Sequence, residues 1–413
     1  MLDINFIREN PQRVKEACEK KNVKCDVDAV LTLDERWRGL ITESERLRAE
    51  QNKISKAGHD EASIAKAKEL KEEFRKVEPE LKDAEEKLNV LLLQLPNVPF
   101  DDAPVGKDDS ENIIVRQVGK PPKFRFEAKD YMEIGTALDL IDTQRAAKVG
   151  GSRFGYIKGG LVIMAFALVK MAMDLLIKKG FTPVLPPVML KEEMARGTGY
   201  FEAADKDEAY FLPQDNLFLA GTSEQSLIAM HTNEVLNERD LPLRYAGFST
   251  CFRREAGSYG KDTKGILRVH QFDKLEMVIF SKPEDSKKEH QLLLSIEEEL
   301  MKKLELPYQV VNICTGDLGR PAAKKYDIET WVPSENKYRE THSTSNCTDF
   351  QARRLNIKYK DKNGKMQFVH TLNGTAFAMG RILIAIIEIY QQKDGSVKVP
   401  KVLQKYCGFK KIG

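Results

Sequence analysis

The sequence predicts an α+β fold in which helices flank an antiparallel sheet and an antiparallel coiled-coil arm precedes it. Two observations lead to this prediction. The first hundred residues carry apolar side chains at alternating four- and three-residue intervals, which is the heptad pattern of packed helices. From about Asp108 the pattern changes to short strand-like runs with helices between hairpins, which favours α+β over a doubly wound sheet. We expect one domain over 1–107 and a second over 108–413.

Two heptad stretches predict the arm, because the segment Ala57-Gly58-His59-Asp60 between them combines a helix stop with a turn. Pro79 lies inside the second stretch, where we expect it to kink or weaken the helix. The seam positions of the first stretch are Leu33, Trp37, Leu40, Ser44, Leu47, Gln51 and Ile54. Those of the second stretch are Leu70, Phe74, Val77, Leu81, Ala84, Leu88, Leu91 and Leu95.

After the arm, Leu95-Pro96-Asn97-Val98-Pro99 reads as a helix terminator followed by a linker. The rest of the chain alternates between strand-like and helical patterns, with no dinucleotide-binding or phosphate-binding glycine fingerprint. The predicted elements are a helix over 161–179 closed by Gly180, strands over 183–185, 267–280 and 368–372, and a helix over 375–390.

Composition and charge exclude several classes of protein. The formal net charge is +3, so any basic surface for nucleic acid would have to be local. The six cysteines contain no C-x-x-C pair, which indicates neither a zinc site nor a disulfide framework and favours reduced thiols. The N-terminus lacks a signal-peptide pattern, and the longest apolar stretch, Leu161–Val169, is shorter than the roughly 20 residues of a membrane span. We therefore expect a cytoplasmic protein that contacts no membrane.

Polar residues suited to chemistry are concentrated between Phe248 and Phe280, where two strand-like runs flank a loop with Gly257, Gly260 and Gly265. Residues two apart share one face of a strand, so the second run carries a polar face. This face is either a solvated outer surface or the wall of a polar pocket, and the pattern leaves both open. The residues of this face are Arg268, His270, Phe272, Lys274 and Glu276.

Two further segments carry charged residues in unusual settings. Arg381 lies in a predicted helix that is apolar almost all round, and a buried arginine needs an anionic partner. That partner is either a protein carboxylate or a ligand phosphate. Glu340 stands beside hydroxyl residues and could hold a hard cation through oxygen ligands, although most such strings are turns or caps.

Together these segments resemble the bacterial-type seryl-tRNA synthetases, which belong to the class II aminoacyl-tRNA synthetases. The string Phe-Arg-Arg-Glu, its glycine loop and the return Arg-Val-His-Gln-Phe-Asp-Lys-Leu-Glu resemble motif 2. Motif 1 is similar to Phe181–Pro187, and motif 3 is similar to Asn373–Arg381. Further strings of the family are similar to Pro104–Asp108, Cys314–Asp317 and Asn346–Arg354. The resemblance covers the whole chain.

The resemblance implies a serine–tRNA ligase, which activates L-serine with ATP to seryl-adenylate and diphosphate and transfers serine to tRNA(Ser). Whether tRNA(Sec) is a second substrate stays open. The implied catalytic fold is the class II fold, with six or seven antiparallel strands. The implied cofactor is Mg²⁺, with ATP as substrate and no zinc. The implied assembly is a homodimer that forms through Leu161–Pro187.

The resemblance also implies roles for individual residues. The expected catalytic residues are Arg253, Glu276 and Arg381. The expected serine-binding residues are Thr222, Ser223, Glu224, Arg253, Glu276, Asn373 and Thr375. The expected ATP-binding residues are Arg253, Arg254, Glu255, Arg268, Val269, Phe272, Glu340, Thr341, His342, Ser343 and Arg381. The expected Mg²⁺ ligands are Glu340 and Ser343.

Two segments depart from the family pattern. Many relatives read Glu-Ile-Ser-Ser where this chain has Glu340-Thr341-His342-Ser343, and Asn-Gly-Ser-Gly where it has Asn373-Gly374-Thr375-Ala376. Thr375 keeps a hydroxyl group, so we expect serine binding to be retained. His342 is either a neutral packing residue or a titrating group beside ATP.

Basic residues gather towards the predicted tip of the arm, and acidic residues towards its base. This gradient favours phosphate neutralisation, although a solvated helix face with paired charges would also carry lysines. By resemblance, the arm recognises the long variable stem of the tRNA through its backbone and shape. The expected tRNA-binding residues are Arg46, Arg48, Lys53 and Lys56.

There are three alternatives to an active seryl-tRNA synthetase: a degenerate paralogue, a related ligase that charges a carrier protein, and a coiled-coil scaffold. The presence of Arg253, Glu276 and Arg381 argues against the first. The long arm argues against the second, and the combination of motifs argues against the third.

Overall fold

The computed structural model describes residues 1–57, 60–200, 209–256 and 265–413. The predicted turn at Gly58 and His59 lies outside the described residues, as do Gly257 and Gly260 of the glycine loop. The chain divides into two units, Met1–Val98 and Pro99–Gly413. The predicted boundary after residue 107 concerns functional domains and stays a prediction.

The first unit consists of helices, two of which are long. The long pair confirms the predicted arm helices, and their seam residues Leu47, Leu70 and Ala84 are at most 2% exposed. Asp60 caps the second of the pair, because its side chain accepts a hydrogen bond from Ser63 N at 2.8 Å. That helix continues through Pro79 without interruption. The helices are α1 (Ile4–Glu9), α2 (Pro11–Lys20), α3 (Val27–Ala57) and α4 (Glu61–Gln94).

A buried ion pair joins α1 to α3 in this unit. The Arg8 guanidinium donates to both carboxylate oxygens of Asp34, at 2.6 and 2.7 Å, and Arg38 adds a third contact at 3.1 Å. Asp34 is only 1% exposed. Burial acts to raise the pKa of Asp34, but the two guanidinium groups outweigh it and lower that pKa.

In its described residues, the second unit combines helices with five sheets. Its helices are α5 (Tyr131–Ala137), α6 (Thr143–Gly150), α7 (Gly160–Lys178), α8 (Glu192–Gly197), α9 (Ser223–Ala229), α10 (Ser286–Lys303), α11 (Phe350–Leu355), α12 (Met379–Ile389) and α13 (Gln404–Cys407). Its strands are β1 (Ile113–Val118), β2 (Ile141–Asp142), β3 (Tyr156–Ile157), β4 (Thr182–Val184), β5 (Met189–Lys191), β6 (Phe211–Leu212), β7 (Leu217–Leu219), β8 (Val235–Asn237), β9 (Leu243–Phe252), β10 (Gln271–Ser281), β11 (Tyr308–Asn312), β12 (Lys324–Val332), β13 (Lys337–Asn346), β14 (Lys358–Lys360), β15 (Met366–Phe368), β16 (His370–Ala378), β17 (Val397–Lys398) and β18 (Lys411–Ile412).

The largest sheet has the strand order β1-β11-β12-β13-β16-β10-β9-β4. Every neighbouring pair is antiparallel except β4 and β9, which run parallel. This confirms the predicted antiparallel sheet flanked by helices. The sheet has eight strands, where the family resemblance implied six or seven.

The central strand β10 separates an apolar back from a partly polar front. On the back, Leu275, Met277 and Ile279 are fully buried in the core that also contains residues of α7, α10 and α12. On the front, the residues of the opposite parity are polar in one part of the strand and apolar in the other. Val278 and Phe280 pack beneath α9 and α11, whereas Lys274 and Glu276 form a polar region.

Two predicted boundaries need correction. The strand predicted over 267–280 begins at Gln271, because the preceding residues belong to the returning loop. The helix predicted over 375–390 begins at Met379, because residues up to Ala378 pair with β10 as part of β16. The alternating small and apolar residues there fit a strand as well as a helix, and only long-range pairing decides between them.

Helix α7 has 19 residues and is therefore longer than the apolar stretch Leu161–Val169. By length and composition it is the one helix among the described residues that could cross a bilayer, which is weak evidence on its own. Leu161, Met164 and Leu168 on one side of it are fully buried in the core of the second unit. This is the packing of a core helix.

Candidate active site

The polar front of β10 is a pocket wall rather than a solvated surface. Lys274 and Glu276 are 7% and 2% exposed, and Lys274 Nζ lies 2.8 Å from Glu276 Oε2. The hydroxyl of Thr375 on the neighbouring β16 donates to the same carboxylate oxygen at 3.1 Å. Three adjacent polar side chains from two strands therefore form one charged and hydrogen-bonded floor.

A second buried carboxylate faces this floor from α9. Glu224 is 2% exposed, and its Oε2 accepts a hydrogen bond from Tyr200 OH at 2.9 Å. Its Oε1 accepts from Gln351 Nε2 at 2.9 Å and from Asn373 Nδ2 at 3.1 Å. The carboxylate is thus fixed by three donors that come from separate segments of the chain.

The two carboxylates influence each other electrostatically. Burial and the negative charge of Glu276 raise the pKa of Glu224. Hydrogen bonds from Gln351 and Tyr200, together with the Lys274 ammonium, act in the opposite direction. Two acidic groups therefore share one nearby lysine, and a cationic ligand group between them would offset the remaining negative charge.

The loop before α9 is built by local hydrogen bonds. Thr222 Oγ1 accepts from Glu224 N at 3.2 Å, and Ser223 Oγ donates to the carbonyl oxygen of Gly247 at 3.2 Å. A side chain at Gly247 would lie 2.7 Å from Leu227, so only glycine lets α9 approach β9 this closely. The hydroxyl groups of Thr222 and Ser223 therefore shape the pocket in this structure.

Arg253 follows β9 and reaches the same loop. Its Nε donates to the carbonyl oxygen of Gly221 at 3.1 Å, and its backbone N–H donates to His270 O at 2.9 Å. The guanidinium lies 5.3 Å from the centre of the Phe272 ring. Arg253 is thereby placed between the loop before α9 and the start of β10.

The other motif 2 residues surround this arginine. Arg268 Nη1 lies 3.6 Å from Glu255 Oε2, and the Glu255 backbone has a φ of 54°. The exposed Arg254 has its guanidinium 5.6 Å from the centre of the Tyr210 ring. Val269 is 8% exposed. The structure thus brings together two pairs of predicted ATP-binding residues, Arg253 with Phe272 and Arg268 with Glu255.

Arg381 has a carboxylate partner. Its Nη1 lies 2.9 Å from Glu340 Oε1 and donates to the Glu340 carbonyl oxygen at 3.2 Å. Burial acts to raise the pKa of Glu340, but Arg381 and Lys325 outweigh it and lower the pKa to about 2. The Glu340 side chain is 43% exposed and that of Arg381 28%, so both groups also remain accessible from the front of the sheet.

A β-bulge brings Glu340 and Ser343 to one face although three positions separate them. Glu340 stands opposite Glu329, and Ser343 opposite Asp327, so the bulge adds one residue to β13 between these pairs. Glu329 and Asp327 are two apart on β12 and share a face. The carboxylate and hydroxyl groups predicted to bind Mg²⁺ therefore project from the same side of the sheet.

Oxygen donors dominate this part of the front face. Asp327 Oδ2 lies 3.0 Å from Lys325 Nζ, while its buried Oδ1 has no hydrogen-bond partner among the described residues. Burial raises the pKa of Asp327 to about 7. Carboxylate and hydroxyl oxygens are the ligands that hard cations prefer, so the donor set fits Mg²⁺.

Thr341 and His342 form the bulge, and their side chains point towards the back of the sheet. Thr341 Oγ1 lies 2.7 Å from Thr330 Oγ1 and 2.8 Å from His342 Nδ1. His342 is 1% exposed, packs against the Phe377 ring, and burial lowers its pKa to about 3. These contacts support the neutral packing interpretation of His342, and the predicted ATP contacts of both residues stay predictions.

Comparison with known proteins identifies the family. The model of the tRNA synthetase class II core domain (G, H, P, S and T) matches residues 210–390, and that of the seryl-tRNA synthetase N-terminal domain matches residues 1–99. The serine–tRNA ligase of Thermobifida fusca is 46% identical over 99% of this chain and 98% of its own.

The chain belongs to the seryl-tRNA synthetase family. The crystal structure of seryl-tRNA synthetase from Pyrococcus horikoshii complexed with ATP aligns with a TM-score of 0.93 at 44% identity, covering 100% of this chain and 99% of the other. Cytoplasmic serine–tRNA ligase from Naegleria fowleri in complex with AMP aligns with a TM-score of 0.89 at 37% identity, covering 100% and 98%.

For this seryl-tRNA synthetase family member, the structure unites most of the residues that the resemblance implied. Of the predicted serine-binding residues, Asn373 contacts Glu224 and Thr375 contacts Glu276, and motif 3 meets Glu340 through Arg381. Our residue assignments omitted Lys274, Tyr200 and Gln351, which contact the two central carboxylates. Lys274 shares the parity of Glu276 and could have been included, whereas the contacts of the other two depend on the folded chain.

Proposed function

We propose that this chain is a serine–tRNA ligase, which forms seryl-adenylate and diphosphate from L-serine and ATP and then transfers serine to tRNA(Ser). The observation that carries the proposal is the pair of buried carboxylates, Glu224 and Glu276, set beside Arg253. An amino acid offers an ammonium group to the carboxylates and a carboxylate to the arginine. The pocket and the substrate are thus complementary in charge.

The amino-acid pocket also suits a hydroxyl side chain. Glu276 and Thr375 provide hydrogen-bonding groups on its floor, and Asn373 completes the wall. Alanine cannot add a hydrogen bond to the Glu276 carboxylate beyond those from Lys274 and Thr375, and a site built to hydrogen-bond a hydroxyl discriminates strongly on that basis. Thr222 and Ser223 lie at the start of α9, the helix that carries Glu224.

For ATP we propose a set of contacts along the motif 2 segment and α12. Arg253 binds the α-phosphate, with Arg254 and Arg268 at the phosphate side, and Arg381 binds the γ-phosphate. Adenine stacks on Phe272, its amino group contacts Glu255, and Val269 lines the same site. Cationic groups placed in this way neutralise charge that develops on the phosphate oxygens. Related structures that contain ATP or AMP support ATP as the substrate.

The reaction needs positioning more than covalent help. The serine carboxylate attacks the α-phosphorus in line, and diphosphate leaves. Arg253 and Arg381 stabilise the charge in that step, while Glu276 holds serine in place. The terminal hydroxyl of the tRNA then attacks the acyl-adenylate and releases AMP.

We propose that Mg²⁺ is held by Glu340 and Ser343, whose oxygens project from one face of β13. When bound, the cation would neutralise phosphate charge next to Arg381. Glu340 keeps its charge under physiological conditions, because the nearby cationic groups lower its pKa to about 2. We propose no role for zinc, and assays in which Mg²⁺ is replaced by zinc would test this.

For tRNA we propose that the arm supplies the contacts, and the structure narrows the set of candidate residues. Arg46 is bound by Glu43 at 2.6 Å and by Glu50 at 2.9 Å, and the Arg48 guanidinium lies 4.7 Å from the Phe74 ring centre. Lys53 and Lys56 are exposed and form no ion pair with any described residue. These two lysines are therefore the best candidates for phosphate contacts.

We further propose a homodimer that forms through the segment Leu161–Pro187. Its support is exposed apolar surface on this segment: Phe166 is 63% exposed, Ile163 44% and Leu185 81%. A dimer interface on this segment would cover these exposed apolar side chains. Residence in the cytoplasm and charging of tRNA(Sec) are further proposals that follow from the family.

ATP–pyrophosphate exchange across all twenty amino acids tests the proposed activity. We expect serine to support exchange, with alanine and threonine far behind. Exchange that depends on another amino acid and not on serine would overturn the proposal. Omission of tRNA separates activation from transfer in the same assay.

A further inference from the structure

Gln351 is a buried amide at which three separate segments of the catalytic unit meet. It lies in the first turn of α11 and its side chain is fully buried. Its Nε2 donates to the carbonyl oxygen of Thr198 at 2.8 Å and to Glu224 Oε1 at 2.9 Å. Its Oε1 accepts from Thr371 Oγ1 at 2.6 Å. Both amide N–H groups and the amide oxygen are used, which determines the orientation of the side chain.

Glu224 depends on such support because water cannot replace it. The carboxylate is 2% exposed and accepts from Gln351, Asn373 and Tyr200. Asn373 is itself expected to contact the amino acid, whereas Gln351 is not among the expected serine contacts. Gln351 thus ties the position of Glu224 to the backbone of Thr198 and to β16 through Thr371.

The groups that face Glu224 make its charge state sensitive to the loss of a donor. Among the described residues, Tyr200, Lys274 and Glu276 are the titratable groups that act on Glu224, and Arg253 and Cys347 act on Tyr200. Burial and Glu276 raise the pKa of Glu224, and the Gln351 hydrogen bond is the first of the effects that lower it. Removal of that donor would therefore raise this pKa further.

We propose that Gln351 is a positioning residue for the amino-acid site, whose amide fixes the Glu224 carboxylate in place for the ammonium group of serine. The inference rests on the proposed function of the pocket. It assigns a task to a residue outside the proposed serine and ATP contacts, which acts on the site through its hydrogen bond to Glu224. The predicted consequence is a defect confined to serine binding.

The variant Gln351→Met removes the hydrogen bonds and nearly preserves the side-chain volume. A hydrogen bond to a charged group is worth enough that we expect the KM for serine to rise about 10- to 100-fold. The KM for ATP should change less than about threefold, since Glu224 is not among the proposed ATP contacts. Serine-dependent ATP–pyrophosphate exchange with the full-length protein measures both constants.

Gln391→Met is the matched control, because it also removes a buried amide. Gln391 is 4% exposed, accepts from Lys129 N at 2.9 Å and donates to Lys129 O at 3.0 Å, but has no contact with Glu224. We expect a comparable loss of melting temperature and an unchanged KM for serine. The comparison separates a general loss of packing from a specific loss of position.

The pH dependence gives a readout that a purely structural role would not change. In Gln351→Met the raised pKa of Glu224 moves the acid limb of kcat/KM for serine to higher pH, so the defect shrinks as pH rises. Gln351→Glu keeps one O–H donor while the new carboxyl is protonated, so its defect grows as pH rises. Gln351→Glu also keeps the volume and polarity of the site, which covers the case that the methionine variant does not fold.

Three outcomes would overturn the inference. They are an unchanged KM for serine in Gln351→Met, an equal rise in the constants for serine and ATP, and pH profiles that coincide with the wild type in both variants. Failure of the proposed function looks different, because the wild type itself would then show no serine-dependent exchange. Opposite pH trends in the two variants, with Gln391→Met at wild-type KM, support the inference.

Discussion

Arg253→Ala should abolish adenylate formation while leaving the protein folded. Among the described residues, the guanidinium makes one hydrogen bond, to the Gly221 carbonyl oxygen at 3.1 Å, and one ring contact, 5.3 Å from the Phe272 centre. A net hydrogen bond contributes about 1 kcal/mol and a cation–π contact about 0.5–1 kcal/mol. The free energy of unfolding should therefore fall by only about 1–2 kcal/mol.

The loss in catalysis should be much larger than the loss in stability. Removing one preorganised group that stabilises transition-state charge costs about 3 kcal/mol or more, which is a factor of at least about 100 in rate. The assay is serine-dependent ATP–pyrophosphate exchange, run beside a thermal unfolding curve. Arg239→Ala is the control, since Arg239 is 85% exposed and lies 3.9 Å from its neighbour Asp240.

Arg253→Lys adds a graded test of the same reasoning. Lysine keeps the charge but loses the planar guanidinium that binds two oxygens at once, so we expect an intermediate rate. Exchange by Arg253→Ala within tenfold of the wild type would refute the assignment. Arg381→Ala should behave like Arg253→Ala, and water can solvate the Glu340 carboxylate that it leaves, because that side chain is 43% exposed.

Four further predictions follow from the account. Exchange should require Mg²⁺ and should survive a zinc-specific chelator; activity restored only by zinc would contradict this. Sedimentation at micromolar concentration should show a dimer of the 47.0 kDa chain, not a monomer alone. Deletion of residues 31–95 should spare serine activation and remove tRNA charging, and near-normal charging without the arm would make it a structural stalk. Charge reversal at Lys53 and Lys56 should raise the KM for tRNA and flatten its salt dependence. Both effects should be larger than those of charge reversal at Arg46, which is already paired. Finally, burial lowers the pKa of His342 to about 3. On acidification the unfolded chain therefore takes up a proton at this residue before the folded chain does, and stability is lost as pH falls below about 6.5. Relative to His342→Gln, the wild type should lose up to about 1.4 kcal/mol of unfolding free energy per pH unit between 6.5 and 5 in urea titrations, and parallel curves would contradict this.

The sequence predicted the elements that depend on local periodicity. The heptads at Leu47, Leu70 and Ala84 correspond to the buried seam of α3 and α4, since helix spacing follows from the chain alone. The shared face of Lys274 and Glu276 follows in the same way from the alternation of a strand. In both cases the helix or strand that contains a residue determines by itself which face the side chain occupies.

The features that escaped prediction depend on distant parts of the chain. Parity would place Glu340 and Ser343 on opposite faces of β13, and only the bulge against β12 unites them. The strand character of residues up to Ala378 depends on pairing with β10. In the sequence, Gln351 is one residue of a segment that is similar to the family. Its hydrogen bond to Glu224, 127 positions away, exists only in the folded protein.

Aminoacylation of tRNA tests the central claim most directly. Purified protein, ATP, MgCl₂ and each of several amino acids would be incubated with a tRNA(Ser) transcript, and aminoacyl-tRNA and AMP would be measured together. We predict that serine alone is transferred and that one AMP appears for each seryl-tRNA formed. Transfer of another amino acid, or serine activation without any transfer to tRNA(Ser), would contradict the account.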